Sequence, residues 1–194
     1  QPERPLKPER EGEAAEAARE VLSLGLLDCL ADPDPLLRDE IAFEALSAWM
    51  RARQLSVATL QKIRVQLVAV LAEAPDAAGF RQPFAALALA EIARVDRLQP
   101  FLAADERAAL IERGTRYLAG VRDYRGHDVR DGWRHGVAHG ADLMLQLSLN
   151  PPLQRAQGEA QRGSATSLWH REVALEPSEL ALLARLDGTL TATD

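Results

Sequence analysis

Apolar residues recur every three to four positions through most of this chain, and no window of several residues alternates apolar with polar side chains. The first spacing is typical of helices that bury one face, whereas alternation would indicate a half-buried strand. A first helix is predicted over residues 13–30, and starts near residues 35, 56, 80, 105 and 132 predict five more up to residue 149. A poorly ordered loop at residues 150–176 and a last helix at 177–186 complete the prediction.

Two of the predicted helices begin with capping residues. Asp34 precedes Pro35, which suits an N-cap followed by the first helical position, where proline's missing N–H costs nothing. Ser56 is placed to cap the next helix. After Pro35 the apolar face is predicted to include Leu37 and Ile41, so we expect this helix to be mostly buried.

The spacing of the helices predicts paired units. Successive starts are about 21 to 28 residues apart, so two helices make a unit of about 45 to 50 residues, near the length of HEAT-type hairpins. The segment after the first cap also resembles the first helix of a HEAT repeat, through Asp34, Pro35, Arg38, Ile41, Ala45 and Leu46. We predict an all-α fold, an irregular HEAT-like stack of antiparallel helical hairpins or α–α superhelix, with a flexible tail at residues 1–12 and one domain at 13–194.

Composition and charge narrow the classes of partner. The chain has 194 residues, 47% of them hydrophobic, and a formal net charge of −6, which disfavours nucleic acid and anionic membranes. Cys29 is the single cysteine, so neither an intrachain disulfide nor a cysteine-based zinc site can form. No apolar run approaches the roughly 18 residues of a membrane span, so we expect a soluble protein. The start at Gln1 permits removal of a signal peptide, which leaves both cytoplasm and periplasm open.

The densest group of reactive side chains lies between residues 122 and 149. On a helix of about 100° per residue, His139 lies about 40° from His135 and Asp142 about 20° from it on the other side, so the three share one stripe. A histidine beside an aspartate is a typical acid–base pair, which makes these three the candidate catalytic residues. The same three could instead bind a divalent metal, because histidines four residues apart can chelate one cation.

The loop before this stripe supplies the candidate binding residues Asp123, Arg125, Arg130 and Trp133. Guanidinium groups suit carboxylate or phosphate ligands, although pairing of both arginines with nearby aspartates is the more ordinary outcome. A structural alternative has the two histidines buried and bonded to the loop, with Asp142 pairing Arg125 or Arg130. We expect Trp133 to pack in the core rather than to contact a ligand.

Three blocks of the sequence resemble those of a bacterial family of unknown function. The pattern D-P-x-x-R-D begins at Asp34, F-R-x-x-F-x-A-L begins at Phe80, and D-x-R-G followed by G-W-x-H-x-x-A-H-G-A-D-L begins at Asp123. Val121 departs from the pattern where an acidic residue is expected, which argues against a metal site. The resemblance implies an all-helical, HEAT-like fold and carries no established activity, cofactor or partner.

These observations favour a helical-repeat-like protein that binds an unidentified protein or small molecule through a surface built around residues 123–142. The alternative is a hydrolase that uses His135, His139 and Asp142, with Arg125 or Arg130 holding an anion. No cofactor is expected, and a divalent metal stays open only for the trio of two histidines and aspartate.

Overall fold

The computed structural model describes residues 8–150, with side chains from residue 12 onward. The predicted loop after Asn150 and the predicted last helix lie outside the described residues. Helices run in the order α1 (Pro8–Cys29), α2 (Glu44–Arg51), α3 (Val57–Val70), α4 (Arg81–Leu98), α5 (Ala104–Gly120) and α6 (Gly136–Ser148). A π-helical segment (Leu36–Phe43) leads into α2. Two short antiparallel strands, β1 (His127–Asp128) and β2 (Gly132–Trp133), lie between α5 and α6. The all-α prediction is confirmed, and no helix of the described range is long and apolar enough to cross a bilayer.

The helices form two layers. Phe84 and His139, near the starts of α4 and α6, have ring centroids 5.2 Å apart, and Arg97 near the end of α4 donates a hydrogen bond to Gln146 near the end of α6. The two helices therefore run parallel and pack together, although α5 separates them in the chain. Since α2 also packs on α4, α1 packs on α3, and Arg64 joins α3 to α5 by an ion pair, the even-numbered helices form one layer and the odd-numbered helices the other.

The core lies between the layers and is built from aliphatic side chains. Those that are fully buried include Leu46, Ile63, Leu89, Ile92, Leu110, Leu143 and Leu147. Both predicted caps are confirmed: the Asp34 carboxylate accepts a hydrogen bond from the Leu36 N–H at 2.9 Å, and the Ser56 hydroxyl accepts one from the Thr59 N–H at 3.2 Å. These bonds satisfy N–H groups that the first turn of a helix leaves without a partner.

One end of the helix stack is joined by the buried carboxylate of Asp96. Its oxygens accept hydrogen bonds from the backbone N–H groups of Phe101 and Leu102 at 3.0 and 2.9 Å. They also accept hydrogen bonds from the side chains of Arg107 and Asn150, both at 2.7 Å. Burial by itself would raise the pKa of Asp96, but these hydrogen bonds outweigh it and lower the pKa below its ordinary value. The charged carboxylate thus ties the end of α4 to the start of α5 and the end of α6.

The π-helical segment reverses one sequence prediction. Leu37 and Ile41, predicted on the buried face, are 38% and 44% exposed, whereas Arg38 and Ala42 are fully buried. A π-helix forms i→i+5 hydrogen bonds, so its inward positions differ from those of an α-helix. The burial of Arg38 also requires partners that the local sequence does not reveal.

The start of α6 also differs from the sequence prediction. The helix begins at Gly136, later than the predicted start near residue 132, because the strand pair occupies the predicted first turn. The Asp128 carboxylate accepts two backbone N–H groups of the intervening turn, and Gly132 has a φ of +75°. His135 has a φ of +49° and stands before the helix in a left-handed conformation. The first helix, α1, begins at Pro8, earlier than the predicted residue 13. The division into a tail at residues 1–12 and one domain at 13–194 stays a prediction.

Candidate functional site

A buried guanidinium anchors the loop between α5 and α6. Arg38 donates to the Asp131 carbonyl at 2.7 Å and to the Asp32 carbonyl at 2.9 Å, and it pairs with the Asp39 carboxylate at 2.8 Å. Its guanidinium carbon also lies 3.8 Å from the centre of the Phe80 ring. An arginine offers five donors in a fixed fork, so a fully buried one is stable only where oxygens surround it. The bond to Asp131 joins residues 93 positions apart and holds the loop against the π-helical segment.

A second arginine supports the same loop from within it. Arg134 is 8% exposed, donates to the Ala78 carbonyl and to the Asp131 carboxylate at 2.8 and 2.9 Å, and lies 4.5 Å from the centre of the Phe80 ring. The Phe80 ring therefore contacts both Arg134 and Arg38, and cation–π attraction is strongest in such desolvated places. The three sequence blocks meet here, because Arg38 comes from the first block, Phe80 from the second and Arg134 from the third.

The predicted binding residues of the loop pair with one another. Arg125 binds the Asp123 carboxylate through its side chain and also donates to the Ala77 and Ala78 carbonyls, while Arg130 binds the Asp131 carboxylate at 2.9 Å. Hydrogen bonding from Arg125 lowers the pKa of Asp123 below its ordinary value. The internal pairing expected of both arginines is thus what the structure contains.

The sequence predicts Trp133 in the core, and this prediction is wrong: the side chain is 47% exposed. It lies on β2 rather than on α6, so it projects from the strand pair. Its ring contacts those of two histidines at tilted angles, with centroid distances of 4.5 Å to His127 and 4.2 Å to His135. An exposed aromatic ring held by neighbours is available to a ligand, which a core ring is not.

Only part of the predicted stripe is helical. His135 precedes α6, His139 is 8% exposed and packs against Phe84, and Asp142 lies on the exposed face of α6. The two imidazole rings are 6.0 Å apart between centroids. Within residues 12–150, Asp142 has no ion pair, contrary to the expected bond to Arg125 or Arg130, and no three potential metal ligands are grouped to hold an ion. The assignment of the trio to catalysis stays a prediction.

The pKa values of the two helical members of the trio are shifted in opposite directions. Desolvation, and then the charge of His135, lower the pKa of His139 to about 4; the Pro83 carbonyl opposes this shift, and the charge of Arg38 adds the smallest effect. The Nδ1 atom of His139 has no hydrogen-bond partner within the described residues. Partial desolvation, and then the charge of Glu91, raise the pKa of Asp142. At neutral pH His139 is therefore an uncharged ring in an apolar environment.

A cleft of about 570 Å³ lies on the other side of the anchored loop. It is bounded by the end of α3, the start of α4, the end of α5 and the loop itself. Its apolar lining residues are Leu71, Pro75, Pro83, Tyr117 and Val121, and its charged ones are Glu73, Asp76, Arg116, Arg122, Asp123 and Arg134. The buried Tyr117 hydroxyl donates to the Gly136 carbonyl at 3.1 Å, and burial raises the pKa of Tyr117 above its ordinary range.

Sequence reasoning found one wall of this cleft and missed the others. Asp123 lines it, whereas Arg125, Arg130 and Trp133 do not, and neither does any of the three stripe residues. The cleft residues Arg116 and Arg122 carry no local pattern that distinguishes them from other surface arginines. Only the packing of separated segments places these two arginines opposite the residues from Leu71 to Pro83.

The fold and the site together define a two-layer helical protein with a cleft of ligand size beside a loop that buried arginines hold in place. Residues 67–160 match the family described as Protein of unknown function (DUF2785). This stretch contains all of the cleft's lining residues, and it confirms the predicted similarity to a family of unknown function, while the three-block pattern and the HEAT-like character stay predictions. No curated protein and no solved structure gives a significant match to the chain.

Proposed function

We propose that the protein binds a small molecule in the cleft between the start of α4, the end of α5 and the loop. The observation that carries this proposal is the cleft itself, whose volume of about 570 Å³ falls within the range of small-molecule sites. Its lining is also of the usual kind for such sites, an apolar floor with a few charged groups.

The walls of the cleft are held in place before any ligand arrives. Arg134 joins the loop to the Ala78 carbonyl, and Arg38 joins it to the π-helical segment. Gly136 lets the loop approach α5 closely, since a Cβ there would lie 3.3 Å from the Tyr117 hydroxyl oxygen. A site that needs little ordering on binding retains more of its interaction energy as affinity.

The hydrolase alternative has less support. A general base must lie within hydrogen-bond reach of its substrate and have a pKa near the working pH. His139 has a pKa of about 4 and packs against Phe84, and neither it nor His135 or Asp142 lines the cleft. We therefore favour binding over hydrolysis for this site.

The proposal is tested by filling the cleft. Gly120 lines it, and a Cβ at this position would meet no atom within 4 Å, so Gly120→Trp has room to fold and to occupy the space. The neutral fluorescent probe phenylnaphthylamine should bind the unchanged protein and lose its fluorescence enhancement with Gly120→Trp. Gly25→Trp is the matched control, because Gly25 is an exposed helical glycine that also has open space around its Cβ. Equal binding of the probe by all three proteins, or none by the unchanged protein, would contradict the proposal.

A further inference from the structure

We infer that the ligand of this cleft is an amphiphilic anion, a molecule with an apolar body and one carboxylate, sulfonate or phosphate group. The inference rests on the proposed function of the cleft and goes beyond it by naming the chemical class. It follows from which hydrogen-bonding groups of the lining are already occupied and which are not.

The carboxylates of the cleft are occupied by the protein. Asp76 accepts three backbone N–H groups at the start of α4, at 2.8, 3.2 and 3.1 Å. Glu73 pairs with Arg81 at 2.9 Å, and Asp123 accepts both side-chain and backbone donors of Arg125. Among the carboxylate oxygens of the cleft, only Oε1 of Glu73 has no hydrogen-bond partner within residues 12–150. A cationic ligand would compete with the existing bonds at the other five oxygens, and a polyol, which must donate as well as accept, would find few open acceptors.

The guanidinium groups of the cleft are occupied only in part. Arg122 uses Nη1 alone, for the Ala119 and Val121 carbonyls, and Arg116 uses Nη2 alone, for Glu112. Arg134 uses Nε and Nη2. The other guanidinium nitrogens of these three arginines have no hydrogen-bond partner within residues 12–150, and arginine keeps its charge at any physiological pH. The cleft therefore presents open donors with positive charge and few open acceptors, which is the complement of an anion.

The rest of the lining selects for an apolar body. Leu71, Pro75, Pro83 and Val121 have no side-chain polar group, and the Tyr117 hydroxyl commits its proton to the Gly136 carbonyl. A ligand with an extended apolar part gains from burial against these surfaces. A fully polar anion such as inorganic phosphate would leave them without a contact, so the structure assigns the cleft to an anion that also has an apolar part.

Two pairs of probes separate the charge of the ligand from its shape. Anilinonaphthalene sulfonate carries the same ring system as phenylnaphthylamine with an added anionic group, and octanoate matches octanol in the same way. We expect the sulfonate to bind about tenfold more tightly than the neutral probe, since a hydrogen bond to a charged group is worth at least that factor. Octanoate should displace the neutral probe at a concentration about tenfold lower than octanol does.

Two variants test the arginines. Arg116→Gln and Arg122→Gln change exposed residues of the cleft, and their combination should weaken sulfonate binding about tenfold while leaving the affinity for phenylnaphthylamine within about twofold. Arg113→Gln is the control, because Arg113 lies on the same helix, does not line the cleft, and should change neither affinity. Circular dichroism of each variant establishes that the fold is retained.

The outcomes distinguish this inference from the proposed function. Equal affinity for charged and neutral probes, or sulfonate binding that the double variant leaves unchanged, would overturn the anion assignment even if Gly120→Trp still abolishes binding of the neutral probe. Probe binding that survives Gly120→Trp would overturn the proposed function itself. A charge preference that Arg113→Gln also removes would show general surface attraction, and would count against a built site.

Discussion

Arg38→Met removes a fully buried guanidinium and keeps a side chain of similar reach. The change leaves the Asp131 and Asp32 carbonyls and the Asp39 carboxylate without the donors they have at 2.7, 2.9 and 2.8 Å. It also ends the stacking on Phe80. The loop between α5 and α6 would then be held mainly by Arg134 and Arg125, which both donate to the Ala78 carbonyl, and by the bond from Tyr117 to Gly136.

The expected loss of stability is about 3 kcal/mol. Three hydrogen bonds that involve a charged group contribute about 1.5 to 3 kcal/mol each, so their plain sum is larger. Two effects reduce it: Met removes the cost of burying the charge, and the Asp39 side chain, which is 27% exposed, can regain water. What remains is the cost of two carbonyls that lose a partner, at about 1 to 3 kcal/mol each.

Urea unfolding followed by circular dichroism measures the loss of global stability. Arg113→Met is the control, because the Arg113 side chain makes no hydrogen bond within the described residues. Hydrogen exchange measures the local one. The backbone N–H groups of Arg134 and His135 donate to carbonyls of the same loop at 3.1 and 3.2 Å, and their exchange should become faster in the Arg38 variant. A loss of stability below about 1 kcal/mol would refute the energetic reasoning. Unchanged exchange at these two amides would refute the role of Arg38 in holding the loop.

Three further changes test the rest of the structure. Trp133→Ala should lower the free energy of unfolding by about 1 to 2 kcal/mol, because about half of the side chain is exposed. Leu143→Ala, which truncates a fully buried side chain, should lower it by about 2 to 5 kcal/mol. Equal losses in urea unfolding would contradict the placement of Trp133. The pKa of His139 is about 4 in the folded state against 6.5 ordinarily, so the unfolded chain binds a proton first. The contribution of His139 to stability should therefore be constant above pH 6.5 and fall between pH 6.5 and about 4, by on the order of 3 kcal/mol. Unfolding of His139→Phe at a series of pH values should lack this contribution. Gly132→Ala should destabilise the fold by about 1 to 3 kcal/mol, since the φ of Gly132 is +75° and an added Cβ would lie 2.8 Å from a guanidinium nitrogen of the buried Arg38. Gly25→Ala, at an exposed helical position with open space around it, should stabilise the fold by about 0.5 to 1 kcal/mol. Melting temperatures of the two variants that move in the same direction would argue against both assignments.

The sequence by itself determined the helices and the short-range bonds. Helical periodicity is a property of neighbouring residues, so the apolar spacing located all six helices of the described range, and the caps at Asp34 and Ser56 followed from residue type alone. The pairing of Arg125 with Asp123 was equally accessible, because only one residue separates the partners. The similarity to a family of unknown function was also present in the linear pattern.

The tertiary structure decided which side chains are buried and which share a site. Arg38 is buried because a carbonyl 93 residues away accepts a hydrogen bond from it, and no local rule places that partner. The left-handed backbone at His135 places this residue before the helix, so a helical projection no longer describes its position relative to His139 and Asp142. The cleft combines the ends of three helices with one loop, and the spatial meeting of such distant segments is information that a periodic pattern does not carry.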